Sequence, residues 1–580
     1  MTLIGWIVFT VFLVWVVWDG VRHSAASNSL DEYYAGGRRI PWWAAGLSVM
    51  ATQASAITVI GTTGQGHDGG LSFVQFYFGL PFAMIVLCLF FVPVYRRLPI
   101  LTVYEYLEQR FNPATRAFAS LVFLASRCLA LGIVITAPAV VMSALLELPL
   151  ETTIIAVGAL TTFYTVFGGV SAVVWTDVKQ MSVILAGIFI SFIWLAVDVL
   201  SELGLGGALR AAGAAGKLDA LIVVPPTDLV PRPAEATAGS PSFWESPYTL
   251  WSGLIGGFFL QLSYFGCDQS QVQRILTNPT ANDSRKALLM SAFAKVPMQF
   301  FVLGIGVLLW LSHGLHGEPM LYKPDDRARA AQADPALLAG FEARHAAAVD
   351  ERREAIRTLV AHPDDPRSDR ALMASYRGAV AAVDQVRSEA ASTFSASGKR
   401  EDTNYVFPQW FLTELPGVLV GLIVAAVFAA AMSSVDSVLN SLSAATVVDF
   451  YRRWLRPTAS ERESVVAGRA TTFLWGVVAT GTAIMLISGS SFIEQVNKIG
   501  SFFYGSLLGV FVLGLFFSRV GGYAGFVGLA CGMVSVGAVH LTWKVEFLWY
   551  NVVGLVGALA GGLVWHWIAP RATQRWQPLQ

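Results

Sequence analysis

The feature that most limits this chain is a succession of apolar stretches, each long enough to cross a lipid bilayer. A helix needs about 20 mostly apolar residues to do so. Thirteen segments meet that length, near 2–19, 42–63, 72–95, 115–146, 151–172, 177–200, 248–268, 284–314, 408–446, 465–488, 495–517, 522–542 and 546–568. Composition agrees. Of 580 residues, 13% are charged and 55% hydrophobic, against roughly 25% charged in a soluble domain. The expected fold is therefore an all-α integral membrane protein. A formal net charge of +0, with no basic patch beyond short loops, argues against a nucleic-acid partner. Residues 2–19 lack a basic start and a small-residue cleavage site, so they read as a retained helix and not a signal peptide. Cys88, Cys128, Cys267 and Cys531 all fall in apolar segments and read as packing residues.

Basic residues orient the segments. Arg22, Arg38 and Arg39 share one loop, Arg96, Arg97 and Arg110 a second, and Arg274, Arg285 and Lys286 a third. Arg452, Arg453, Arg456 and Arg462 follow, then Arg519, Arg571 and Arg575. With thirteen crossings these fall on one side, which the positive-inside rule makes cytoplasmic. The N-terminus is then expected outside and the C-terminus inside, in a multi-pass plasma (inner) membrane protein. Two outside loops are long. Residues 201–247 are rich in Gly, Ala and Pro and read as a flexible or partly ordered loop. Residues 315–405 hold two charged, alanine-rich, helix-favouring stretches around Asp365–Pro366, which predicts a helical hairpin outside the membrane. It is either a solvated decoration or a lid or docking surface.

Chemistry concentrates in Val424 to Phe450, whose apolar run contains Ser433, Ser434, Asp436, Ser437, Asn440, Ser441 and Ser443. Polar atoms facing lipid are costly, so this helix faces other helices or a watered cavity. Hydroxyls, carbonyls and a carboxylate are hard oxygen ligands that suit a small cation such as Na+, and an intramembrane carboxylate points to function. The alternative is a Ser/Ala-rich packing interface. The segment from Trp42 is interrupted by Thr52, Gln53, Ser55 and Thr58, then Gly61 and Gly64. That suggests a discontinuous helix with carbonyls free for a cation, or a kinked inert one.

Other charges sit within apolar sequence. Arg127 needs a partner, either a protein acid such as Asp268 or Asp436 or an anionic solute. Asp177 either caps its helix or relays an ion leaving towards the cytoplasm. Lys295 and Asp268 either neutralise each other or face a solute. No Walker loop is present, and the eight histidines show no HExxH-like spacing, so neither ATP-driven pumping nor a membrane enzyme is expected.

Together WWAAGLSVMATQASAITVIG, RRLPILTVYEYLEQRFN, FGGVSAVVWTDVKQ, FGCDQSQVQRILT and AAAMSSVDSVLNSLSAATVVDFY resemble the sodium:solute symporter family. The resemblance covers roughly residues 30–315 and 405–520. It implies the five-plus-five inverted-repeat fold of the leucine transporter, with the first helix an extra and the last two peripheral. It also implies a Na+ site from the carbonyls of Ala51, Ala54 and Ala430 and the hydroxyls of Ser433 and Ser434. A second Na+ or exit path falls on Asp177, Asp436 and Ser437, where Asp436 replaces an expected serine. Ser55, Thr58 and Arg127 match positions at which sialic acid symporters hold a carboxylate, and the monocarboxylate, iodide and multivitamin branch looks similar too. Ile57 and Thr58 replace the Glu-Gln pair of the sugar branch. Gln75, Phe76, Gln495 and Asn497, with Asp268 and Lys295, complete the candidate cavity.

The resulting expectation is a Na+-coupled symporter importing a small polar solute, an organic anion first and a neutral sugar, inositol or amino acid second. A sensory or channel-like role is the outside rival. Na+ is the only metal, no cofactor is expected, and the unit is a monomer in the bilayer. The chain divides into an extra helix (1–30), core (31–314), extracytoplasmic insertion (315–405), core (406–520) and peripheral helices with a short tail (521–580).

Overall fold

The computed structural model describes residues 1–24, 29–224, 232–233, 242–333, 335–362, 369–486 and 491–569. It is helical throughout, apart from a two-residue antiparallel bridge of Arg232–Pro233 with Trp543–Lys544. Ten described helices are long and apolar enough to cross a membrane. The other three expected segments are helical too. Two of them, from Trp42 and from Ser252, are broken.

Helix α1 (Leu3–Ser24) packs on the Ser-rich helix, Phe9 edge-on to Phe428 at 5.0 Å. Helix α2 (Trp42–Gln53) stops where Ala54 leaves helical geometry at φ −82°, ψ 51°. The chain resumes through a wide turn at Thr58–Thr62 into α3 (Thr63–Gly69). Helices α4 (Pro113–Leu146), α5 (Leu150–Phe167) and α6 (Val170–Ala214) follow. Then comes the second broken element, α7 (Gly257–Cys267) and α8 (Gln269–Leu276), split at Asp268, and the long α9 (Ala281–His316). With the helical run 80–97 ahead of α4 counted, the second break falls five core helices after the first. Discontinuous helices at corresponding places of two halves are what an inverted-repeat transporter requires.

In the insertion, α10 (Pro335–Ala361) and α11 (Arg370–Phe394) form the expected hairpin; Asp365 and Pro366 lie outside the described residues. The Asp369 side chain accepts from the Ala371 and Leu372 amides and starts α11. Short α12 (Thr403–Glu414) leads into the Ser-rich α13 (Gly417–Ala445). Helices α14 (Glu461–Met485), α15 (Phe492–Phe516), α16 (Ala524–Thr542) and α17 (Phe547–Ile568) complete the described chain.

Two expectations change. Residues 201–214 are not loop: α6 bends at Gly204 (φ 64°) and continues to Ala214, because Ala208, Ala211 and Ala212 bury against Ile356, Leu359 and Tyr376 of the hairpin. Arg274 is not a surface loop charge but fully buried, and Arg110 is buried as well. The orienting charges that stay exposed or half-exposed include Arg38, Arg39, Arg97, Lys286 and Arg453.

Candidate functional site

The site forms where α13 crosses the break after α2. All seven polar side chains of α13 named above are buried, yet the helix is unbroken, since its hydroxyls bond back one turn. Ser434 Oγ donates to the Ala430 carbonyl at 3.1 Å and Ser441 Oγ to the Ser437 carbonyl at 2.7 Å. The break supplies what α13 lacks, loose carbonyls. Met50 O still accepts from Ala54 N at 2.8 Å, but the helix ends before the carbonyls of Ala51 and Ala54 find the next amide. Thr52 joins the two elements, its carbonyl accepting from Ser434 Oγ at 3.0 Å and its hydroxyl 3.0 Å from Ser437 Oγ. Carbonyl and hydroxyl oxygens from two helices thus converge in a buried place, the hard-oxygen chemistry that suits Na+.

Beside them lie two carboxylates. Asp177 accepts from Ser433 Oγ at 2.6 Å and from Ser48 Oγ at 2.5 Å. It does not cap α6, whose N-cap is Gly169. Asp436 Oδ2 accepts from Tyr164 Oη at 3.0 Å, while its Oδ1 is buried with no protein partner. Between them lies Arg274, its guanidinium bonded to Ser437 Oγ, Ser48 Oγ (3.2 Å) and the Ser270 carbonyl (2.5 Å), and 3.9 Å from Asp177. A single guanidinium faces two acids.

A cavity of about 110 Å³ opens on the other side of the break. Ser55, Thr58, Phe76, Arg127, Lys295 and Asn497 line it, together with Ser434. Arg127 is held from behind: its Nε is ion-paired with Asp268, and its plane lies over Tyr264 and Tyr504 at 4.8 and 5.4 Å. Asp268 in turn accepts from the Ser270 amide (2.8 Å) and hydroxyl (2.6 Å), capping α8. Lys295 and Asp268 therefore do not neutralise each other. Lys295 Nζ donates to the Gln53 carbonyl at 3.2 Å and lies 5.7 Å from the Tyr77 ring; among the described residues no carboxylate pairs with it. Arg127 Nη2 and Asn497 Nδ2 are buried donors with no acceptor among the described residues.

Three expected members lie elsewhere. Asp268 stands behind Arg127, off the cavity wall. Gln75 staples the connection ahead of α7, donating to the Ser72 and Tyr248 carbonyls and accepting from the Ile222 amide at 3.0 Å. Gln495 lies half-buried beyond the wall. Sequence reading missed Ser48, Thr52, Tyr164 and Arg274 as parts of the ion region. Only Thr52 carried a signal, as a polar residue at the interruption of α2.

A second cluster borders a cavity of about 360 Å³, lined by His67, Asp68, Lys217, Glu318, Arg352 and Arg400 among others. His67, His313 and Glu318 bring ligand atoms within 4.8 Å of one another. Yet Glu318 is taken by Arg352 (2.6 Å) and Arg387 (2.8 Å), and His67 Nδ1 lies 2.9 Å from Asp68. It is an ionic knot.

Comparison with known proteins shows the family and the fold. The chain is 24% identical to the sodium/sialic acid symporter SiaT of Proteus mirabilis, over 97% of this chain and 94% of that one. It is 25% identical to the sodium-dependent multivitamin transporter of Oryctolagus cuniculus, over 97% and 72%. A solved Na+-coupled sialic acid symporter, in a substrate-bound outward-open state, superposes with a TM-score of 0.74 at 22% identity over 99% of both chains, so the two share a fold. The profile of the sodium:solute symporter family matches residues 33–332 and 387–532, well over half the chain, and this protein belongs to that family.

Proposed function

We propose that this protein couples inward Na+ flow to uptake of a small organic anion across the plasma membrane, with its N-terminus outside, its C-terminus cytoplasmic, and the monomer as the working unit. The carrying observation is the set of open donors in one buried cavity: Arg127 Nη2, Asn497 Nδ2 and the Lys295 ammonium, which has no carboxylate partner. Buried donors without acceptors are costly, and a carboxylate entering the cavity satisfies them together. Relatives named for sialic acid and for monocarboxylates point to the same class.

Na+ is cargo here, and no cofactor is needed. In this reading Na+ binds among the oxygens of Ala51, Ala54, Ala430, Ser433 and Ser434, tying the break to α13. Thr58 and Lys295 touch the carbonyl of Gln53, so ordering the break for the ion also orders the cavity wall. Binding is then reciprocal: Na+ tightens solute by the factor by which solute tightens Na+.

The test is uptake into proteoliposomes of sialic acid, lactate, pantothenate, proline, galactose and inositol, with and without an imposed Na+ gradient. An acid accumulates only with the gradient. Lys295→Ala then raises the half-saturating acid concentration about tenfold or more, consistent with loss of a charge-assisted bond, and leaves the fold intact because no buried partner is stranded. Accumulation of a neutral solute alone removes the anion reading and keeps the symporter.

A further inference from the structure

The family match leaves residues 333–386 uncovered, yet this stretch is firmly docked. Tyr376 Oη donates to the Ala211 carbonyl at 2.8 Å, and Arg352 and Arg353 donate to the His313 and Leu315 carbonyls at the end of α9 (2.8 and 2.6 Å). Arg387 bridges Glu318 and Asp402, and Arg400 bridges Asp384 (2.6 Å) and Asp402 (3.3 Å). From that framework two side chains reach Asp68 of the core. Arg400 Nη2 lies 3.3 Å from Asp68 Oδ1, and Thr403 Oγ1 donates to Asp68 Oδ2 at 2.6 Å.

Asp68 sits near the end of α3, the half-helix beyond the break. Lys217 Nζ holds the last carbonyls of the same helix, those of His67 and Asp68, each at 2.7 Å. The half-helix also runs close to the chain behind Arg400, since a Cβ on Gly64 would stand 2.2 Å from the Thr403 carbonyl. Further in, Gln65 Nε2 donates to Glu494 at 3.2 Å, and Tyr248 Oη reaches the same carboxylate at 3.2 Å. Ile493 and Val496, flanking Glu494, line the cavity, so this bridge lies between the cavity and the insertion. Opening on that side requires α3 or the start of α15 to shift.

We infer that the insertion is a clamp on the outer gate, with Arg400 the positioning residue that fixes the half-helix Thr63–Gly69 through Asp68. This rests on the transport reading above. The clamp biases the protein towards the arrangement with the Gln65–Glu494–Tyr248 bridge made. Loosening it raises the population open towards the insertion, and apparent affinity from that side rises in proportion to that population.

The experiment uses the full-length protein with Val496→Cys as reporter, labelled by a membrane-impermeant thiol reagent from the insertion side, with labelling of the parent chain subtracted. Arg400→Ala raises the labelling rate about threefold or more and lowers the half-saturating Na+ concentration by a similar factor. Asp68→Asn reproduces both effects and Arg400→Lys reverses them in part. Asp384→Ala, which removes the exposed partner of Arg400 on the hairpin, leaves both near wild type. Unchanged labelling in a folded Arg400→Ala protein overturns the inference. So does an equal response in Asp384→Ala, which assigns the effect to hairpin packing. Labelling needs no solute, so the clamp is decided even if uptake shows the transport reading to be wrong.

Discussion

Two buried polar networks lie at opposite ends of the half-helix α3, and they are built on opposite plans. At the break, oxygens outnumber cations, and valences stay open: Asp436 Oδ1, Arg127 Nη2 and Asn497 Nδ2 have no protein partner. At the insertion, Glu318 meets two guanidiniums, Asp402 two, and Asp68 a guanidinium, a hydroxyl and a histidine. There the charges balance, with Arg352 Nε and His345 Nε2 left over among the described residues. An open network gains free energy by taking a ligand. A network whose charges are already paired has less to gain from a ligand and loses heavily when a member is removed, so it serves to hold elements together.

The sharpest way to break this contrast is to remove one acid from each network. Glu318→Ala leaves buried Arg352 without its carboxylate and Arg387 with Asp402 alone, and costs about 3–5 kcal/mol, read as a large drop in apparent melting temperature in detergent. Asp436→Asn deletes a carboxylate with one oxygen already idle and changes stability by less than about 1.5 kcal/mol, while altering Na+ dependence. Equal melting losses in the two variants would erase the distinction.

A smaller effect tests the open network alone. Ser434→Ala removes a hydroxyl that touches the Thr52 and Ala430 carbonyls. Its loss raises the half-saturating Na+ concentration for uptake about tenfold, or about 1.4 kcal/mol, and leaves folding intact. Wild-type Na+ dependence in this variant would move the ion away from α13.

How much of this was visible in the chain follows from what a bilayer punishes. Apolar length is imposed by the hydrocarbon, so the helices were legible almost segment by segment. The Ser-rich stretch of α13 stood out because polar atoms there have no other excuse, and the α2 interruption for the same reason. The second break was hidden: Asp268 reads as the end of a segment, and only the structure shows its carboxylate starting a new helix while holding Arg127. Arg274 was misread because a basic residue just past an apolar run usually lies in a loop; here α8 turns it inward onto Ser437. The helical continuation past Gly204 depends on apolar contact with Ile356, Leu359 and Tyr376, some 150 residues away in sequence, which no local pattern encodes. Gln75, a cavity candidate in the sequence, is instead bonded to backbone groups of Ser72, Tyr248 and Ile222.

The smallest expected effect is an absence of change, and it separates the charges of the closed network from simple burial. Burial alone would raise the Glu318 carboxyl, but Arg387 and Arg352 outweigh it and hold the group well below the usual carboxylate range. A carboxylate with a depressed folded value contributes stability that is fully present above its unfolded value, near 4.3. That contribution is lost as pH falls below this point towards the folded value. The difference in apparent melting temperature between wild type and Glu318→Ala should therefore stay constant from pH 8 to pH 5 and shrink only below about pH 4.5. Using the difference between two proteins cancels the titrating groups that lie away from Glu318. A gap that already closes between pH 7 and 5 would mean that Glu318 carries a proton in the folded protein, and that the seam is held by packing instead of by its ions.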